Sequence, residues 1–140
     1  MFTNLKEILV KNEISPSYHR LKIYECLMNN RTHPTADMIY ATIIAHIPTL
    51  SKTTVYNTLK IFAEKGLVAS ITIEDNEVRY DADVYFHGHF KCLTCGSLYD
   101  IDLSQLQLEK KLGANRKING HLIKESQVYV KGICKKCQKN

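Results

Sequence analysis

Apolar residues recur at helical spacing in four blocks before residue 66, and beyond it short β-rich runs take over. The first block, 3–12, puts Leu5, Ile8 and Leu9 on one side of a short helix. Ser15 and Pro16 then supply an N-cap and a proline at the first helical position of a second helix. It runs to about residue 29, with Leu21, Tyr24, Leu27 and Met28 at helical spacing. Cys26 lies in this helix as a small core or boundary residue. A third helix opens at Thr35, its N-cap, with Asp37 in its first turn and His33 in the turn before; Pro48 closes it. Ser51 caps a fourth helix over 52–65. Leu50 and Val55 are placed for a hydrophobic staple, and Gly66 ends the helix.

The fourth helix has two faces. Val55, Leu59 and Phe62 make a stripe to be buried, whereas Thr53, Tyr56, Asn57 and Lys60 make a polar one. An ordinary solvated face would more often carry Glu/Lys ladders; this mixture suits base edges and phosphates. With Lys52 and Thr54 at the helix start, these side chains are the candidate DNA contacts. Two β-rich runs, 67–73 and 77–80, follow around the turn Glu74-Asp75-Asn76, completing the layout of a winged helix-turn-helix. After Tyr80 the pattern predicts strands at 86–92 and 97–101. A capping box at Asp102-Leu103-Ser104-Gln105 starts a helix to about residue 112, closed by Gly113, and a β-rich run at 127–130 leads into Cys134. The expected architecture is α+β: a winged-helix DNA-binding domain over 1–80, a hinge at 79–84, and a small α/β metal-binding dimerisation domain over 85–140.

Composition narrows the class. An apolar fraction of 44% is that of a folded chain. No apolar run approaches the roughly 18 residues a membrane span needs. The N-terminus lacks a basic segment followed by an apolar one, so a reducing, cytoplasmic location is expected, where paired cysteines are metal ligands before they are disulfides. The net charge of +5 does not mark the first half as the nucleic-acid partner. Residues 1–80 hold 9 Lys/Arg against 8 Asp/Glu, while 81–140 hold 10 against 6.

The densest chemistry lies in 81–100. Cys92 and Cys95 form one C-x2-C pair, and Cys134 and Cys137 form another. Four thiolates complete a closed tetrahedral zinc shell, a structural site that pins a strand to the C-terminal tail. Disulfides or idle thiols are the disfavoured alternative. His87 and His89 lie two apart, so on a strand they face the same way. Surface histidines would look the same, but Asp81 and Asp100 flank the pair. Adding His33 gives a shell of three histidines and two carboxylates drawn from both domains, suited to Fe(II) or Mn(II) and able to lock the domains' relative orientation.

Taken together, His33-Pro34-Thr35-Ala36-Asp37, Ile39-Tyr40, Thr54-Val55-Tyr56-Asn57, Leu59, Gly66-Leu67-Val68, Arg79-Tyr80-Asp81, His87 with His89, Cys92 with Cys95-Gly96, and Gly132-Ile133-Cys134 with Cys137 resemble the ferric-uptake-regulator family over essentially the whole chain. Their order and spacing look most like its PerR-type, peroxide-sensing branch. The resemblance implies a homodimeric, metal-dependent repressor that binds double-stranded DNA at an inverted-repeat operator. It implies structural zinc on Cys92, Cys95, Cys134 and Cys137, and regulatory Fe(II) or Mn(II) on His33, Asp81, His87, His89 and Asp100. It also implies that Fe(II) with hydrogen peroxide oxidises His33 or His87, releasing metal and DNA. Aspartate at position 100, where iron-sensing relatives tend to carry glutamate, favours the peroxide branch.

The chain departs from that pattern twice. The family's Thr-Pro-Gln-Arg entering the second helix is Ser15-Pro16-Ser17-Tyr18, followed by His19 and Arg20. A histidine often found eight residues before the third cysteine is Ser126, so an accessory third site is not expected; His19, His46 and His121 read as surface or boundary residues. The nearest alternative is an iron- or manganese-level sensor without redox chemistry. A non-haem iron enzyme is not expected, because five ligands leave little room for substrate and no acid, base or nucleophile is spare. A zinc-stabilised protein adaptor is the remaining alternative.

Overall fold

Capping side chains set where the N-terminal helices begin. The computed structural model describes residues 2–139, and the chain divides into two compact units, Met1–Val84 and Tyr85–Asn140. In the first unit, α1 (Phe2–Lys11), α2 (Tyr18–Asn29), α3 (Ala36–Ile43) and α4 (Lys52–Glu64) precede strands β1 (Ala69–Ile71) and β2 (Arg79–Asp81). Thr35 caps α3 by accepting the Met38 N–H, and Ser51 caps α4 by accepting that of Thr54, as the sequence predicts. The start of α2 differs. Ser17, not Ser15, is the cap and accepts the Arg20 N–H, while the Ser15 carbonyl receives the Arg20 guanidinium at 2.9 Å.

The core of this unit is aliphatic with one aromatic pair. Leu9, Ile23, Leu27, Ile39, Val55, Leu59 and Phe62 are fully buried, and Tyr24 meets Phe62 edge-on at 5.7 Å between ring centroids. Each such side chain contributes about 1.5–3 kcal/mol by leaving water. Cys26 packs at the edge of this core, where burial raises its thiol pKa. β1 and β2 pair antiparallel, with Ala69 opposite Asp81 and Ile71 opposite Arg79. On its other side β2 meets the segment before α3: Thr35 bridges Arg79, and the Tyr80 N–H donates to the Pro34 carbonyl at 3.0 Å. The wing is thereby tied to the start of α3.

The second unit holds a three-stranded sheet in the order β4 (Leu98–Ile101), β3 (Gly88–Cys92), β7 (Val128–Gly132). β3 runs antiparallel to β4 and parallel to β7. The helix predicted from Asp102 is broken in two. A 3₁₀ turn over Ser104–Leu106 is followed by Gln107 in the left-handed region (φ 54°), and only Leu108–Leu112 is α-helical (α5). Asp102 accepts the Ser104 N–H at 2.9 Å, a tight Asx turn in place of a capping box, while Leu103 is buried. The structure adds an unpredicted hairpin, β5 (Lys117–Ile118) and β6 (His121–Leu122). Its turn, Asn119-Gly120, has φ of 50° and 84°, the positive pair a tight hairpin requires.

Gly88 separates the two histidines of β3 for a steric reason. A Cβ there would lie 2.9 Å from Ile101 Cγ1 and 3.1 Å from Leu103 Cδ1. Gly88→Ala is expected to destabilise the protein by about 1–3 kcal/mol and to shift the His89 ring resonances; an unchanged melting curve refutes this. No helix among the described residues is long and apolar enough to cross a membrane.

Candidate metal centres and nucleic-acid face

Parallel pairing of β3 with β7 assembles the cysteine cluster. Cys92 lies opposite Gly132, so both strands run off the same end of the sheet, each into a C-x2-C turn. Gly96, at φ 78°, turns the first of these back into β4. The four Sγ atoms of Cys92, Cys95, Cys134 and Cys137 lie within 4.8 Å of one another. Cys95 Sγ and Cys134 Sγ are 3.9 Å apart, far beyond a disulfide bond of about 2.05 Å. That separation is close to the edge, about 3.8 Å, of a tetrahedron built on zinc–sulfur bonds of about 2.3 Å.

Local electrostatics favour thiolate at part of this cluster. N–H groups of Cys95 and Cys134 point at Cys92 Sγ from 3.4 and 3.3 Å, and hold its thiol down to about 6. The Tyr99 hydroxyl lowers Cys134. Cys137 is pushed up to about 12, chiefly by its hydrogen bond with Cys134. A divalent ion is what lets all four ionise together.

The predicted nitrogen and oxygen ligands form a close group within each unit. In the first unit, His33 Nε2 lies 3.4 Å from Asp81 Oδ2, and both residues are buried. The second Asp81 oxygen accepts the Asp83 N–H at 2.9 Å, and Asp83 is in turn paired with Arg31. His33 takes a left-handed backbone (φ 59°), which costs a non-glycine residue on the order of 1–2 kcal/mol. Such strain persists where the surroundings enforce it.

In the second unit, His89 sits on β3 directly opposite Asp100 on β4, and its Nε2 is 3.3 Å from Asp100 Oδ1. His87 lies just before β3 rather than within it, and its Nδ1 faces the Tyr85 carbonyl at 2.7 Å. Its Nε2 lies 3.5 Å from the same Asp100 oxygen, so the ring bridges the Tyr85 carbonyl and the carboxylate. The two imidazoles are 4.7 Å apart at 62°.

On α4, the buried stripe of Val55, Leu59 and Phe62 leaves Lys52, Thr53, Tyr56, Asn57 and Lys60 exposed, with Thr54 half-buried. Tyr56 donates from its hydroxyl to Asp37 at 3.1 Å, which raises its pKa and keeps it a neutral phenol. Thr54 and Asn57 line a groove of about 420 Å³ shared with Ser17, His19 and Arg20 of the α2 entrance. Arg20, absent from the predicted contacts, brings a guanidinium to this face although Tyr18 stands where the family pattern has arginine. His46 and His121 are exposed and His19 is half-buried, and among the described residues none belongs to a metal-ligand cluster.

The ferric uptake regulator family model matches residues 11–130, and the chain belongs to that family. Within it, the chain is similar to the peroxide operon regulator of Bacillus subtilis (strain 168), with 36% identity over 135 residues, 96% of this chain and 89% of that protein. Among solved structures, PerR from Streptococcus pyogenes, described in a study of peroxide sensing and gene regulation, aligns with 27% identity and a TM-score of 0.53, covering 98% of this chain and 92% of that one. The ferric uptake regulator from Pseudomonas aeruginosa with manganese has 20% identity, a TM-score of 0.75 and coverage of 93% and 97%, a likeness of fold.

Proposed function

We propose that this protein is a homodimeric, metal-dependent transcriptional repressor that senses hydrogen peroxide. The observation that carries this reading is the coexistence of two donor chemistries. One donor set is four thiols; the other is imidazole–carboxylate pairs, His33 with Asp81 and His89 with Asp100, whose histidines are buried. All-thiol donors suit a permanent zinc; nitrogen and oxygen donors suit exchangeable Fe(II) or Mn(II). In this reading Cys92, Cys95, Cys134 and Cys137 hold zinc, and His33, Asp81, His87, His89 and Asp100 are the regulatory ligands. The similarity to proteins named for peroxide regulation supports the redox branch.

When bound, Fe(II) supplies the electrons that activate hydrogen peroxide beside its ligands. The His33 or His87 ring gains one oxygen atom at a carbon, and the peroxide's other oxygen leaves as water. An oxidised ring would be a poor donor, so His33 or His87 would no longer help to hold the regulatory metal and DNA would be released. Mn(II) supports repression without this chemistry. The buried, hydrogen-bonded placement of His33 and of the His87 ring aligns both nitrogens for such a role.

For DNA, α4 is the reading helix. Tyr56 and Asn57 reach base edges, and Lys52, Thr53, Thr54 and Lys60 reach phosphates or flanking groups. The wing turn carries Glu74, Asp75 and Glu77, a charge unsuited to phosphate. Exposed Leu106, Ile118, Leu122, Val130 and Ile133 on the second unit support its role as a dimerisation domain, and the reduced thiol sites fit a cytoplasmic protein.

The test starts from an inverted-repeat duplex selected by the protein from a randomised pool. Mn(II) is expected to strengthen binding, and peroxide treatment of the Fe(II) form is expected to abolish it, with one oxygen gained on the peptide containing His33 or His87. Metal-dependent binding without histidine oxidation would leave a metal-level sensor; no metal-dependent binding would favour an enzyme or adaptor. Lys60→Ala is expected to weaken binding to all sequences and to flatten the salt slope by about 1.

A further inference from the structure

Arg79 links three things that the sequence keeps apart. Its Nη1 donates to the His33 carbonyl at 3.1 Å, its Nε donates to Glu74 Oε1 at 2.6 Å, and its Nη2 lies 3.5 Å from Glu77 Oε2. Glu74 and Glu77 belong to the wing turn, and His33 is the left-handed residue paired with Asp81. The Arg79 and Glu74 side chains are mostly buried, so this contact is not a loose surface ion pair. Backbone contacts run alongside it, with Thr35 bridged to Arg79 and the Tyr80 N–H on the Pro34 carbonyl.

From this we infer that the wing is a buttress for the His33–Asp81 pair, and that Arg79 is the positioning residue through which it acts. The inference rests on the reading of His33 as a regulatory-metal ligand. The guanidinium spans a wing carboxylate and the His33 carbonyl at once, which a planar five-donor fork can do and a single ammonium cannot. It holds His33 in a conformation the residue would not otherwise keep, and so fixes where the imidazole points. Asp81 leaves the same short strand two residues on. One strand thus supplies one member of the pair directly and orients the other. The acidity of the turn follows from this role: its carboxylates anchor Arg79.

The experiment uses the full chain with zinc on its four cysteines. Arg79→Gln, Arg79→Lys and His33→Asn are titrated with Mn(II), free Mn(II) being read by electron paramagnetic resonance. Visible spectra are recorded with Co(II) as a second probe. Arg79→Gln is expected to weaken Mn(II) binding by about tenfold or more, the scale of a lost outer partner. Arg79→Lys, which keeps the charge, is expected to melt like the parent yet bind Mn(II) more weakly than the parent and show altered Co(II) bands. If Arg79→Gln unfolds the chain, the lysine variant decides. Parent-like Mn(II) affinity and Co(II) bands in the Arg79 variants, with His33→Asn impaired, overturn the buttress and leave the metal reading standing. Parent-like behaviour in all three variants overturns both.

Discussion

Replacing Cys134 by serine is expected to unfold the second unit outright, with loss of zinc and of the dispersed resonances of β3, β4 and β7. The physical reason is the thinness of its core. Among the described hydrophobic residues from Tyr85 onward, only Cys92, Leu103 and Cys134 are buried, and two of these are thiols of the cluster. Apolar burial on that scale falls far short of the conformational entropy of ordering some fifty residues. Binding zinc to four thiolates releases about 10–16 kcal/mol, as much as the whole stability of an ordinary domain at about 5–15 kcal/mol. Cys134 stands at the crossing point: its N–H supports Cys92 Sγ, its Sγ faces Cys95, and it follows the strand that closes the sheet. A strong chelator is expected to produce the same state in the unaltered protein. The helical signal of α1 to α4 should survive both treatments, because that unit has its own core of Leu9, Ile23, Leu27, Leu59 and Phe62. Retention of the sheet resonances in a zinc-free Cys134→Ser protein would sink this account.

The second large effect is expected at His33. His33→Asn should bring DNA affinity in Mn(II) down to the metal-free level while zinc content stays intact. Asparagine is the informative replacement because it accepts a left-handed backbone readily, so the φ of 59° is preserved and only the imidazole is lost. Asp81, buried beside it, then lacks its nitrogen partner and the cation that both would share. Loss of a direct ligand should exceed the roughly tenfold to hundredfold effect of losing an outer partner. Fluorescence anisotropy with a labelled duplex, with and without Mn(II), reads the result; Mn(II)-stimulated binding that persists would remove His33 from the ligand set. Peroxide should have no further effect on this variant.

Much of the fold is legible in the chain because it depends on neighbours in sequence. Thr35 and Ser51 cap helices by reaching three residues ahead, and Val55, Leu59 and Phe62 share a face through the helical repeat alone. The cysteine pairs announce their chemistry by spacing, since two thiols in one turn are already half of a metal shell. Where local signals compete, the sequence is ambiguous. Ser15 and Ser17 both offer a cap two residues apart, and the helix starts from Ser17. The Asn119-Gly120 turn was signalled by its dipeptide, but its strands are two residues long and exposed, so no alternation of apolar residues marks them. The break at Gln107 has no glycine to announce it.

The sequence by itself determined helices α1 to α4, the caps of α3 and α4, the polar face of α4 and the membership of the thiol cluster, and it carries the resemblance that implies one ligand set for His33 and the distant residues. Only the tertiary structure decided that His87 faces the Tyr85 carbonyl with Nδ1 and Asp100 with Nε2. Only it decided that His33 meets Asp81, and that Arg79 binds the wing turn to the His33 carbonyl. The reason is physical. Caps and faces arise from hydrogen bonds and periodicities within a few residues, whereas an imidazole's direction or a guanidinium's reach depends on strands and turns that pairing across the fold brings together.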